Sequence, residues 1–264
     1  MDNINFLSSG MLGDFIQSLF AVKNICEQRG CKANLYLSEG HGGDVWTFGA
    51  EKAYRDLAEL VYHQPYINSF KLLDKEYDES FINLNMWRED AATNFAEDGE
   101  YSTCWSEMLS KKFNFKIGGE YKWLNAIVPD SRTAGKIVIH RSKHRWSGIK
   151  WQQILDSQQG KLIFVTTNEE EYALFNRTFT THNTPLLLVE TIAELTNAFA
   201  GASYFIGNQS APFSIANALD VPRLGELEAG VWKFYKDETK YSNNISWYLG
   251  EEDKYFTNES IIKL

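Results

Sequence analysis

The chain has 264 residues, 44% of them hydrophobic and 14% aromatic. That is enough apolar surface to bury a core, and it excludes a disordered, collagenous or disulfide-dense chain. Lys and Arg total 26 against 35 Asp and Glu, a formal charge of −9, which disfavours tight, unspecific binding to nucleic acid or anionic membrane but leaves room for a local basic pocket. The three cysteines, Cys26, Cys31 and Cys104, include no CxxC pair, so neither a disulfide framework nor a zinc cluster is expected. No apolar run reaches the roughly 20 residues that span a bilayer, and the first residues lack the basic lead of a signal peptide. The expected setting is a reducing cytoplasm, where the Asn-x-Ser/Thr triplets at Asn176, Asn208, Asn244 and Asn258 are not glycosylation signals.

The chain opens as strand, glycine turn, helix and strand. Residues 4–7 form a short β-like run and 8–14 a turn-rich loop. Phe15, Ile16, Leu19, Phe20, Val22 and Ile25 then recur at helical spacing up to Gly30, and residues 33–37 read as the next strand. A parallel sheet with a right-handed crossover follows. Further on, 56–61 reads as helix, 81–84 as strand, 85–100 as a polar, acidic loop and 101–113 as helix. Turn residues fill 129–135, which places a domain boundary near Thr133, with domains 1–133 and 134–264.

The second half restarts the same grammar. Strands are expected at 136–140, 161–165, 185–189 and 204–207, alternating with helices at 151–157, 169–176, 191–200 and 211–219. Thr191 with Glu194 three residues on has the form of a capping pair. Two α/β units in series point to paired Rossmann-like, doubly wound domains. The aromatic, acidic segment 232–256 reads as core packing for a terminal helix against the first domain, with Trp232, Phe234, Tyr235, Trp247 and Tyr248 as an alternative sugar platform. Trp46, Trp87 and Trp105 likewise read as core, with acceptor-cleft lining as the alternative.

Ligands of open α/β sheets bind beyond the carboxyl ends of the strands, and four loops there carry suitable chemistry. Ser8 to Asp14, containing Gly13, presents either an anion-binding loop or a capping carboxylate at Asp14. Arg141, Lys143, Arg145 and Lys150 crowd into ten residues after a strand, either as a solvated basic loop or as a diphosphate site. Glu171 either holds ribose hydroxyls or simply sits in the first turn of a helix. Asn208, Gln209, Ser210, Ala211 and Ser214 lie where a strand enters a helix, so their N–H and hydroxyl groups suit a phosphate, or Ser210 is an N-cap alone. No His, Cys or carboxylate grouping has metal spacing and no Asp-x-Asp pair is present, so neither metal nor cofactor is expected.

Together these stretches resemble the heptosyltransferase-like glycosyltransferases of family 9. Residues 192–222, with Ile206-Gly207-Asn208-Gln209-Ser210-Ala211-Pro212 ahead of a small-residue helix and Val221-Pro222, are similar to that family's strand, phosphate loop and helix. Leu12-Gly13-Asp14 is similar to its N-terminal Gly-Asp loop, and Ile139-His140-Arg141-Ser142 with Lys150-Trp151 to its strand, polar loop and Lys-Trp signature. The resemblance implies a GT-B fold, two Rossmann-like domains facing a cleft. It implies an inverting, metal-independent transfer of a sugar from a nucleotide-diphosphate sugar to an acceptor hydroxyl, that of a glycan or another hydroxyl acceptor. The resemblance places the general-base role on Asp14 and the contact with the donor diphosphate on Lys150. Ala211 stands where the family usually has Gly, Ser214 where it has His, and Gln209 where an acidic residue is commoner, so no one sugar is indicated. Two other readings stay open: transfer to a modified base in DNA, which the acidic charge balance disfavours, and a non-catalytic nucleotide-sugar or glycan-binding protein.

Overall fold

The computed structural model describes residues 3–41, 44–73, 80–87, 104–143, 148–227, 236–249 and 254–256. Arg145, Trp232, Phe234 and Tyr235, and most of the expected loop 85–100, lie outside them. The chain divides into two units, Met1–Asn125 and Ala126–Leu264.

In the first unit, β1 (Ile4–Ser8) leads through a short loop into α1 (Leu12–Arg29) and back to β2 (Ala33–Leu37). The apolar stripe of α1 is wholly buried, and Gly30 stops the helix at φ 62°, a left-handed conformation that costs glycine nothing sterically. A hairpin of β3 (Gly40–His41) and β4 (Asp44–Val45) precedes α2 (Ala50–Tyr62), β5 (Ile67–Leu72), β6 (Phe81–Asn83) and α3 (Trp105–Phe113). The sheet order is β5-β2-β1-β6, with every pairing parallel. Only Ile67 and Phe70 of strand β5 are buried, because a sheet edge contacts the core with only some of its residues. Trp46, Trp87 and Trp105 are buried at 6%, 7% and 5% exposure, which leaves them as core. The segment after α3 folds back on α1, where the Trp123 indole N–H donates to the Ile16 carbonyl at 2.8 Å.

The second unit runs β7 (Ile137–His140), α4 (Trp151–Ser157), β8 (Leu162–Thr166), α5 (Glu169–Thr178), β9 (Leu186–Leu188), α6 (Ile192–Gly201), β10 (Tyr204–Asn208), α7 (Ala211–Ala218), β11 (Arg223–Leu227), β12 (Ile245–Leu249) and β13 (Lys254–Phe256). Its sheet order is β13-β12-β11-β10-β7-β8-β9. The strands β7 to β12 are mutually parallel and β13 is antiparallel to β12. Counted along the chain, the parallel strands lie third, second, first, fourth, fifth and sixth, which is the dinucleotide-fold order. Central strands β7, β8 and β10 are buried at every residue, as strands covered on both faces require. Phe164, Ile139, Ile206, Trp151 and Phe175 form the core of this unit. The Thr191 hydroxyl caps α6 by accepting from Glu194 N–H at 3.1 Å.

The expected terminal helix is corrected here. Residues 245–249 pair in parallel with β11, and Trp247 and Tyr248 are 3% and 2% exposed. An aromatic run of alternating fit suits a strand next to a buried neighbour better than a helix face.

Candidate functional site

In the second unit the chain reverses direction across the sheet between β7 and β10, the first and fourth strands. In doubly wound sheets this reversal of strand order is where ligands bind, beyond the carboxyl ends of the strands. Gly207 makes the close approach possible, since a Cβ there would lie 2.8 Å from the His140 carbonyl and 2.6 Å from the Phe205 ring. Asn208, fully buried, ties the two loops together. Its Oδ1 accepts from Ser142 N–H at 3.0 Å, and its Nδ2 donates to the Ser142 hydroxyl at 3.0 Å.

The basic loop after β7 separates into buried and exposed cations. Arg141 is 6% exposed, and its Nε donates to Glu226 Oε2 at 3.2 Å and its Nη2 to Oε1 at 3.4 Å. The guanidinium also stands 5.2 Å from the centroid of the Phe179 ring. Lys143 and Lys150 are exposed. Arg145 lies outside the described residues.

At the start of α7, Ser210 occupies the N-cap position without a side-chain cap; its hydroxyl donates instead to the Asn208 carbonyl at 3.0 Å. Ala211 is half-buried, and Ser214 is 5% exposed with its N–H on the Ser210 carbonyl at 3.1 Å. Pro212 falls at the second helical position, where a missing N–H removes no helical bond. Gln209 is buried, its N–H on the Glu226 carbonyl at 3.1 Å and its Oε1 without a hydrogen-bond partner.

Beside β8, Glu171 accepts from the Thr166 hydroxyl at 2.7 Å and lies 3.7 Å from His140 Nε2. His140 Nδ1 meets the Val165 carbonyl at 3.0 Å; a carbonyl only accepts, so that nitrogen carries the proton. Burial pushes the His140 pKa down, opposed by the Glu171 charge and the Val165 carbonyl. His140 is thereby neutral in the folded state at pH 7.

The first unit has its own reversal point between β1 and β6. Ser9 N–H donates to Asn85 Oδ1 at 3.0 Å, and Asn85 N–H to Asn83 Oδ1 at 3.0 Å, so the loop after β1 is pinned to the residues after β6. Gly13 and Asp14 are half-buried in the first turn of α1. Met11, with no side-chain cap, holds the N-cap position. Asp14 therefore sits where the helix dipole favours a negative charge, by about 0.3–1 kcal/mol, and its carbonyl accepts the Ser18 hydroxyl at 2.8 Å.

Glu226, Asn83 and Asn85 are the polar residues here that the sequence alone does not single out. For Glu226 the available signal is a carboxylate in an apolar alternation, Leu224-Gly225-Glu226-Leu227, directly after Val221-Pro222. Among the described residues no helix is long and apolar enough to cross a membrane.

No protein-family model and no curated protein sequence matches the chain. Solved structures do. A family 9 glycosyl transferase from Veillonella parvula matches with a TM-score of 0.62 at 10% identity, over 95% of this chain and 86% of that one. The ADP-heptose LPS heptosyltransferase II of E. coli gives 0.59 at 10% identity, over 94% and 90%. The E. coli heptosyltransferase WaaC, solved with ADP, gives 0.57 at 11% identity, over 98% and 97%. The chain resembles the family 9 glycosyltransferases in structure, and its fold is their GT-B fold.

Proposed function

We propose that the protein is a glycosyltransferase that moves a sugar from a nucleotide-diphosphate sugar to an acceptor hydroxyl, inverting the anomeric centre and using no metal. The observation that carries this reading is the β7–β10 edge. There the loop 141–150, with exposed Lys143 and Lys150, is hydrogen-bonded through Ser142 to the strand that leads into α7. Lysine ammonium groups and the N-terminus of a helix are the groups that stabilise a diphosphate as it leaves. The similar E. coli protein WaaC was solved with ADP and with an ADP-heptose analogue, which favours a nucleoside diphosphate as the leaving group.

In this mechanism the second unit binds the donor and the first supplies the base. Asp14 accepts the proton of the acceptor hydroxyl, whose oxygen forms the new bond to the anomeric carbon. The bond from that carbon to the diphosphate oxygen breaks, and the electron pair leaves with the nucleoside diphosphate. Lys143 and Lys150 answer the growing charge, while Arg141, already held by Glu226, serves the loop. Glu171 is assigned to the ribose hydroxyls, and Gln209, Ser210, Ala211 and Ser214 to the phosphate end of α7. The acceptor class is a glycan hydroxyl.

Thermal unfolding with ADP, UDP, GDP and CDP, with and without EDTA, tests the donor half. A ligand at 100 times its dissociation constant adds about 2.7 kcal/mol of stability. Stabilisation by one of them, unchanged by EDTA, is expected, and none by any would end the reading. Transfer from the matching nucleotide sugars then separates an enzyme from a binding protein, which would bind the nucleotide and release no sugar.

A further inference from the structure

Glu226 is a carboxylate with 0% exposure on a strand whose neighbours Leu224 and Leu227 are buried apolar residues. It accepts from Arg141 Nε at 3.2 Å and from the Trp151 indole N–H at 3.0 Å, both on Oε2, and from Arg141 Nη2 at 3.4 Å on Oε1. Arg141 is the first residue beyond β7 and Trp151 the first residue of α4. One carboxylate therefore holds both ends of the ten-residue loop that carries Lys143 and Lys150.

The hold is doubled from the adjacent strand. Asn208 and Glu226 are register partners across β10 and β11, and Asn208 grips Ser142. The strand pair thus presents two buried side chains, in register, that bind successive residues of the loop, Arg141 and Ser142. Trp151 is locked in turn, with its ring edge-on to Phe175 at 5.3 Å, and the Arg141 guanidinium is covered by Phe179.

A buried ion pair of this kind is a weak source of stability, since well-packed apolar residues often serve as well or better. Its geometric consequence is larger: three donors converging on one carboxylate allow a single placement of the loop ends. We propose that Glu226 is a positioning residue of the donor site, acting through Arg141 and Trp151 to set where the neighbouring Lys143 and Lys150 face a nucleoside diphosphate. This rests on the donor reading above.

The test uses the full chain and three variants: Glu226→Gln, Trp151→Phe, and the double change Arg141→Met with Glu226→Leu. Trp151→Phe deletes one donor while keeping a ring against Phe175, so it reports even if Glu226→Gln does not fold. Each is scored by nucleoside diphosphate affinity and by the initial rate of tryptic cleavage at Lys143 and Lys150. Expected are an affinity loss on the order of tenfold, about 1.4 kcal/mol, and faster cleavage confined to the loop. Cleavage elsewhere and the cooperativity of unfolding stay as in the wild type.

A variant that lowers the melting temperature yet binds with wild-type affinity and is cut as slowly as wild type would overturn the proposal, because a merely structural Glu226 does that. If wild-type protein binds none of the four diphosphates, the donor reading falls and this proposal with it. Binding by wild type with equal binding by all folded variants overturns the positioning role alone.

Discussion

The two units solve the same topological problem with different materials. Both reverse strand order beside their first strand, between β1 and β6 in one and β7 and β10 in the other. At the first reversal, neutral groups hold the loop, Ser9, Asn83 and Asn85, and one carboxylate, Asp14, is left half-buried in a helix's first turn. At the second, a buried ion pair and a buried amide hold it, and lysines face outward. A half-buried carboxylate suits proton transfer, whereas exposed lysines near a helix N-terminus suit a diphosphate anion.

Changes at one reversal point should therefore move one kinetic property and leave the other. The largest effect is expected from Asp14→Asn, which should lower the transfer rate by about 10²–10⁴-fold with unchanged nucleotide affinity; full turnover would remove Asp14 from the mechanism. Next, Phe164→Ala removes a ring packed 5.1 Å from Phe175 and 5.4 Å from Tyr172. It should cost about 3–5 kcal/mol in denaturant unfolding, against which any loss of binding has to be judged. Lys150→Ala should weaken nucleoside diphosphate binding by roughly tenfold, most visibly at low salt. A wild-type dissociation constant for this variant would transfer the diphosphate to other groups.

The smallest effect concerns pH. Burial lowers the His140 pKa in the folded protein, so the unfolded chain, with an ordinary value near ~6.5, binds the proton first. His140 then contributes full stability above that value and loses it as the pH falls below. The loss is at most about 1.4 kcal/mol per pH unit, down to the folded pKa. Comparing melting temperatures of wild type and His140→Gln between pH 7.5 and 5 isolates this slope; parallel curves would show that His140 does not contribute it.

Much of this was legible in the order of residues. The stripe Phe15, Ile16, Leu19, Phe20, Val22 and Ile25 with Gly30 behind it marks α1. The pair Thr191 and Glu194 marks the start of α6. Continuous apolar runs mark β7, β8 and β10, because a strand covered on both faces is apolar at every position. Elements whose residues answer to neighbours far along the chain were not legible. Edge strand β5 has no clean alternation, β11 contains Arg223 and Glu226, and the aromatic run of β12 has the composition of a helix face as much as of a strand. Arg223 is tolerated at 0% exposure because Asn217, Asp220 and the Val221 carbonyl receive its guanidinium.

The site divides the same way. Composition, strand-end loops and spacing by themselves determined an α/β protein of two units and which strand-end loops hold polar and charged residues, among them Asp14, Lys143 and Lys150, since these follow from local pattern and from where α/β sheets open. Only the tertiary structure decided how the charges are spent: Arg141 turned inward to Glu226 across 85 residues of sequence, and Lys143 and Lys150 left outward. Arg141 is buried because an opposite charge lies within hydrogen-bond reach, and for residues so far apart in the chain that is a property of strand order.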